Sequence, residues 1–506
     1  MDPAVDARPT LPVAVLPATR SWPLHDTAAS RAMEAAAASQ LPPHALMARA
    51  GRGVARLALA LAPRARSVLV LAGPGNNGGD ALLAAALLHD AGVPVWLVLL
   101  ADPGRLPTDA TWALAQVRRR AGLDVHAAMP AGWQADLVID GLLGLGLARA
   151  PAGPVAEAIA AVGTYRGPVL AIDLPSGLDG DRGTTFGGIA IRATHTLALL
   201  SLKPGLFTAE GRDHAGQVWF DDLGVAPVAT RLRLAGPPAM LAVPHSAHKG
   251  RFGDLVVVGG APGMTGAAAL AAHAALAAGA GRVYLASLNA DAGSATCRLE
   301  LMQRRIDDML EPETLRARTV VAGCGGGEPM RAVLPALLRH AARLVLDADA
   351  LNAVAADTAL QHALAARGAA GRPTVLTPHP LEAARLLDCS TGDVQGDRLG
   401  AAGALAERFG AVVVLKGSGS VMASPDGALM LCPFGNGRLA TAGTGDVLAG
   451  WLGGLWARQA TAVADADTLP ALASAAVAGH GLAAEQAPGR GPLLATDLIA
   501  AMQALG

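Results

Sequence analysis

Gly443, Thr444 and Gly445 stand directly before Asp446, so backbone N–H groups that can approach an anion closely lead into a carboxylate. A glycine turn entering a helix holds phosphate well, because the free N–H groups and the positive end of the helix dipole face the ligand. The apolar spacing from Val447 onward predicts that such a helix begins there. Phosphates repel a carboxylate beside them, so Asp446 reads either as a helix N-cap or as a base held where a phosphoryl group meets a hydroxyl. Upstream, a predicted strand over 411–415 empties into Lys416, Gly417, Ser418, Gly419 and Ser420, a second turn suited to phosphate. Much earlier, Gly73, Gly75 and Gly78 satisfy G-x-G-x-x-G between a predicted strand over 67–73 and a predicted helix over 81–89. A tight turn without a ligand would look similar, but Asn76, Asn77 and Asp80 add side-chain oxygens and amides to this one. Asp140 and Asp173 end predicted strands over 135–140 and 167–173, and either could serve only to form a turn. With Asn77 and Ser176 they make an all-oxygen set, which suits a hard cation and not zinc.

All these groups close apolar runs that alternate with helical patterns, so the elements required are parallel strands whose carboxyl ends share a rim. At 506 residues the chain calls for two or three domains. Its apolar share is 52%, much of it alanine, and its aromatic share is 3%, which points to an Ala-rich α/β protein and excludes a disordered chain. A net charge of -1 offers no attraction to nucleic acid or anionic lipid. The apolar windows 81–100 and 267–288 are broken by His89, Asp90 and His273, so neither is expected to span a membrane. The opening residues are not those of a secretory signal, and Cys297, Cys324, Cys389 and Cys432 show no paired spacing. A cytoplasmic chain with structural thiols is expected.

Residues 1–20 are rich in Pro and Ala and are expected to form a loose tail, with helices following over 30–38 and 45–61. Pro237 and Pro238 mark a join. Beyond it, a predicted strand over 254–258 and a glycine-rich turn lead to an Ala-rich helix, without the Gly-Lys-Ser/Thr of a P-loop. Further apolar strands end at 320–327, 344–352 and 375–382. Asp347 and Asp349 read first as caps of the next helix and second as magnesium ligands. His379, between two prolines, reads equally as a rigid turn residue and as a ligand contact.

Gly73 to Asp80, Asp140 to Gly144 and Ile172 to Gly177, preceded by Leu46 to Gly51, resemble the YjeF N-terminal domain, the NAD(P)H-hydrate epimerase, over roughly residues 25–225. The resemblance implies a Rossmann-like three-layer α/β domain with potassium near Asn77, Asp140 and Ser176. It implies substrate contacts at Asn76, Asn77, Gly78, Gly79 and Asp80, and along Gly144, Leu145, Gly146, Leu147, Ala148, Arg149 and Ala150. Asp173 would touch substrate as the catalytic acid/base. The chain departs from that pattern at Ala48, where an acid is usual, at Ala81 in place of Gly, and at Gly141 and Leu145 in place of Ala and Thr.

The motifs of the second half, in order, resemble the YjeF C-terminal domain, a ribokinase-like α/β NAD(P)HX dehydratase, over roughly residues 235–506. Lys416, Gly417, Ser418, Gly419, Ser420 and Gly445 would then hold the adenine nucleotide. Asp446, as the catalytic base, would approach the hydrated substrate together with His379, Gly325 and Ala268. Departures here are Leu299, before Glu300, and Ala442. The implied layout is a tail over 1–20, an epimerase domain over 21–230 and a dehydratase domain over 235–506. The implied partners are NADHX, NADPHX, magnesium and ADP, the last converted to AMP and phosphate, in a homo-oligomer without nucleic-acid or membrane partners. Two other readings share the motifs: a ribokinase-like small-molecule kinase fused to a dinucleotide-binding module, and a first half that only senses a dinucleotide.

Overall fold

The computed structural model describes residues 12–238, 245–289, 298–459 and 468–505. The chain divides into two compact units that part between Leu232 and Arg233.

In the first unit, parallel strands lie side by side in the order Gln217–Asp221, His195–Leu199, Val169–Ile172, Leu137–Gly141, Val68–Ala72, Val95–Leu99 and Val125–His126. Every residue of Val68–Ala72 is buried. Val68, Val70 and Ala72 pack with Val54, Leu57, Leu82 and Val117 in one cluster, while Leu69 and Leu71 pack with Ala158, Ile159 and Val162 in another. Side chains alternate across a strand, so two apolar faces on one strand require a helical layer on each side.

Two sequence expectations are corrected in this unit. Of the tail expected to be loose, residues 1–11 lie outside the described residues, but Val13–Ala14 pairs antiparallel with Trp219 and Phe220. Val15 is fully buried behind it, which gives the segment a reason to settle. The helix expected over 81–89 is Asn76–Asp90, so the Asn-Asn-Gly-Gly run is its first turn and not the turn before it. Gly78 makes this start possible: a Cβ there would stand 2.0 Å from the carbonyl oxygen of Gly73.

In the second unit, Met302–Arg304, Arg282–Ser287, Asp254–Gly259, Thr319–Ala322, Arg343–Leu346, Thr374–Leu376 and Val412–Leu415 form a parallel array in that order, extended antiparallel by Val421–Ala423 and Leu429–Leu431. The helix Thr444–Arg458 starts before the expected Val447, with Gly443 at φ 89° as its N-cap. It lies almost backbone to backbone on Thr265–Ala277, because Gly450 and Gly454 leave no room for side chains there. A Cβ at Gly450 would stand 2.0 Å from the Ala271 oxygen and one at Gly454 2.5 Å from that of Ala275. This contact fixes where Asp446 points. Among the described residues no helix is long and apolar enough to cross a membrane.

Candidate active sites

In the first unit the strand ends open into a cavity of about 740 Å³, lined by Asn76, Asn77, Asp80, Asp173, Lys203 and the residues from Gly144 to Arg149, among others. Gly78 and Gly79 do not line it; their Cα atoms are packed against Gly73 and Met47, so their part is to let the helix close on the strand. Ala150 also lies outside the lining. Asp173, directly after the strand Val169–Ile172, adopts a left-handed backbone, φ 66°. Its carboxylate accepts from the backbone N–H of Leu199 at 3.2 Å and is ion-paired with Lys203. Lys203 is 1% exposed and donates further to the carbonyls of Leu199 at 2.8 Å and Ser201 at 2.9 Å. Two further carboxylates sit around this pair. Burial, and then the charges of Asp173, Glu34 and Asp109, push the Asp80 carboxyl well above its usual range. Glu34 is raised as well, by burial first and then by Asp173.

Asp140, Ser176 and Asn77 do come together. Asp140 is fully buried and accepts from the Ser176 N–H at 2.8 Å, the Ser176 hydroxyl at 2.6 Å and the Leu142 N–H at 3.2 Å. Ser176 Oγ in turn accepts from the Leu143 N–H at 2.9 Å, and the Asn77 side-chain amide donates to the Leu143 carbonyl at 3.0 Å. All the donors to Asp140 are neutral, and burial raises its pKa to about 6. A buried carboxylate with no cationic side chain against it among the described residues, close to the Ser176 hydroxyl and through it to the Leu143 carbonyl, fits a monovalent cation.

The departures from the family pattern explain one another. A Cβ on Gly141 would stand 2.5 Å from the Cβ of Ala81, so a methyl at one position excludes a methyl at the other. Leu145 lines the cavity where Thr is usual, and its loop is held through its backbone carbonyl, which accepts from Arg31 at 3.0 Å.

In the second unit, Lys416, Asp347, Cys324, Asp446 and Gly445 converge. Lys416 Nζ is 2.6 Å from Asp347 Oδ1 and 4.0 Å from Glu382 Oε2, and a Cβ on Gly445 would stand 3.4 Å from it. Burial opposes the lysine's charge, but the Asp347 and Glu382 carboxylates outweigh it and hold the pKa above its usual value. Asp347 occupies the N-cap position of Ala348–Ala355 yet makes no cap hydrogen bond, which corrects the capping reading; Lys416 and the Thr377 hydroxyl, at 2.8 Å, take the carboxylate instead. Asp349 accepts from the Gly327 N–H at 2.9 Å. With these carboxylates already engaged, the donor set suits magnesium carried on nucleotide phosphates better than a cage built of protein alone.

Asp446 lies in the first turn of its helix and is not the N-cap. Burial raises its pKa to about 6 and Asp347 adds to this, while Cys324 and Lys416 lower it. His379 caps Pro380–Leu387: its Nδ1 accepts from the N–H groups of Leu381 and Glu382, and its Nε2 lies 3.2 Å from Glu382 Oε1. Ala268 is buried in Thr265–Ala277, and Gly325, at φ 56°, sits against Met264 and Ala267. The Lys416–Ser420 turn is braced from beneath by Arg398, which is 1% exposed and donates to the carbonyls of Leu415, Lys416 and Gly419 at 3.3, 3.2 and 3.5 Å.

Sequence reasoning missed Lys203, Glu34, Arg398 and the placement of Cys324. A lone lysine ending the apolar run Leu199-Leu200-Ser201-Leu202 was a signal for the first, because a lysine there needs a buried acid. Cys389 is an exposed thiol, Cys432 is buried with its thiol 3.8 Å from the Phe434 carbonyl, and Cys297 lies outside the described residues.

The sequence profile of the YjeF-related protein N-terminus matches residues 43–205, and that of NAD(P)H-hydrate dehydratase matches residues 255–504. The bifunctional NAD(P)H-hydrate repair enzyme Nnr of Escherichia coli is 36% identical over 487 residues, covering 93% of this chain and 91% of its own. The bifunctional NAD(P)H-hydrate repair enzyme of Leishmania major is 35% identical, covering 92% of this chain and 90% of its own. Among solved structures, the ADP/ATP-dependent NAD(P)H-hydrate dehydratase of Bacillus subtilis is 27% identical, covers 53% of this chain and 93% of its own, and has a TM-score of 0.41. Identity above a third along nearly the whole length, over both sets of motifs, decides the assignment: the chain belongs to the bifunctional NAD(P)H-hydrate repair enzymes.

Proposed function

We propose that the chain restores hydrated nicotinamide coenzymes at two separate centres. The first unit interconverts the R and S forms of NADHX and NADPHX. The second removes water from the S form at the expense of ADP, giving NAD(P)H, AMP and phosphate. The observation that carries the second activity is a half-buried carboxylate, Asp446, in the first turn of a helix entered through Gly443, beside the Lys416 ammonium. Hydroxide is a poor leaving group. Asp446 takes the proton of the substrate hydroxyl, whose oxygen attacks the terminal phosphorus of ADP as the bond to AMP breaks. The phosphorylated oxygen then departs with the carbon–oxygen pair as phosphate, and loss of a proton from the neighbouring ring carbon restores the double bond. Positioning and charge neutralisation supply most of the acceleration. Lys416, fixed by Asp347, supplies a positive group at the helix entrance, and magnesium carried on the phosphates would supply the rest of that neutralisation.

In the first unit, Asp173 moves a proton on and off the substrate. Lys203, ion-paired with it, fixes its direction. Asn77, Asp140 and Ser176 would hold potassium, which supplies the charge that buried Asp140 lacks and steadies the Leu143 backbone at the cavity edge. The test of the dehydratase reading is incubation with ADP and S-NADHX: absorbance of the reduced nicotinamide should rise as AMP forms. A plain kinase would leave that absorbance unchanged.

A further inference from the structure

Cys324 takes no part in the chemistry above, yet its thiol lies inside the second centre. Gly323 and Gly325 flank it at φ 117° and 56°, conformations that favour glycine, and a Cβ on Gly323 would stand 1.8 Å from the Asp347 carbonyl oxygen. The direction of the Cys324 side chain is therefore set by the backbone. Its sulfur is fully buried and 4.0 Å from Asp347 Oδ2, and one ligand atom each of Cys324, Asp347 and Asp446 all lie within 4.8 Å of one another. We propose that Cys324 is a positioning residue for Asp446: its S–H bridges the Asp347 and Asp446 carboxylates, weakens their mutual repulsion and keeps Asp446 oriented as the base. The inference rests on the dehydratase reading of this unit.

The thiol is the right species for that role. Burial and the two carboxylates push its ionisation well above the usual thiol range, so it remains a donor across the working pH. The other charges that bear on Asp446 do not replace it. Asp347 and Asp349 repel its ionised form, and Lys416, which favours that form, is already taken up by Asp347. A donor to a carboxylate favours the ionised state, so its loss moves the acid limb of activity to higher pH.

The experiment compares Cys324→Ala and Cys324→Ser with the unaltered full chain, using saturating ADP and S-NADHX from pH 5 to 8. Thermal unfolding of each variant serves as the control for a folded second unit, and epimerase activity of the first unit as the control for the amount of chain. Cys324→Ala should shift the acid limb of kcat upward by about one pH unit, with kcat at pH 6 falling about five-fold and the KM for ADP changing less than two-fold. Cys324→Ser, which keeps a donor, should hold the limb within about 0.3 units. An unshifted limb in Cys324→Ala would overturn the proposal. So would an equal shift in Cys324→Ser, because side-chain size would then be the cause; the serine variant decides the matter alone if the alanine variant does not fold. Absence of ADP-dependent dehydration in the unaltered chain is a different result, and it would remove the reading of the unit itself.

Discussion

Gly141 and Ala81 form a reciprocal pair, and the size of their coupling can be worked out in advance. Gly141→Ala puts a methyl 2.5 Å from the Cβ of Ala81, 2.9 Å from the Asn77 carbonyl oxygen and 3.2 Å from that of Leu71. The neighbours are strand and helix backbone, so little can yield, and overpacking of this kind costs about 1–3 kcal/mol. Ala81→Gly loses a fully buried methyl, about 0.8 kcal/mol, and about 1 kcal/mol of helix propensity. If the changes were independent, the double variant would lose about 3–5 kcal/mol. Because the second change removes the closest of the three contacts, we expect the double variant to be no worse than Gly141→Ala alone, a coupling of about 2 kcal/mol. Calorimetric unfolding of the four proteins reads this directly, and epimerase rates report whether Asn77, whose carbonyl meets the new methyl, is displaced. Additive losses to within about 0.3 kcal/mol would refute the reasoning that these two departures from the family pattern compensate each other.

Other expectations are more direct. Lys203→Met leaves the Asp173 carboxylate buried without its counter-charge; thermal unfolding should show a loss of about 3–5 kcal/mol together with slower equilibration of the epimers. Asp173→Asn should leave the dehydratase untouched while R and S hydrate no longer interconvert at the normal rate, as chiral chromatography would show. Because Asp446 has its pKa raised from 3.8 to about 6, dehydration should lose activity as pH falls through 6 and not through 4. The same shift has a stability cost of known sign. Between those values the folded state holds a proton that the unfolded state has released, so stability falls as pH rises across the window. Asp446→Asn should therefore raise the melting temperature at pH 7, by up to about 3 kcal/mol of stability, while abolishing dehydration. Replacing choline by potassium should raise the unfolding temperature of the unaltered chain, and Asp140→Asn should remove that response.

The strand ends were readable because apolar runs closing in a charged residue carry both the element and its rim position, as at Asp140, Asp173 and Lys416. The start of Asn76–Asp90 was not, since Asn-Asn-Gly-Gly disfavours a helix and only the close approach of Gly73 and Met47 makes it one. The same limit applies at Asp347, where a cap position is visible in sequence but the lysine that claims the carboxylate lies 69 residues away. Lys203 and Arg398 escaped for a related reason: each is a buried cation whose partners are brought to it by the fold. The edge strand at Val13–Ala14 depends on pairing with residues more than 200 positions later, which composition cannot reveal.

The claim that both centres act on one damaged coenzyme meets its most direct test in a single reaction. Racemic NADHX is supplied with ADP or ATP, and NADH is counted against nucleotide consumed, for the unaltered chain and for Asp446→Ala. Conversion of both epimers, one nucleotide spent per NADH formed, and no NADH from Asp446→Ala is the expected result. NADH formed equally well without nucleotide, or at the normal rate by Asp446→Ala, would contradict the account.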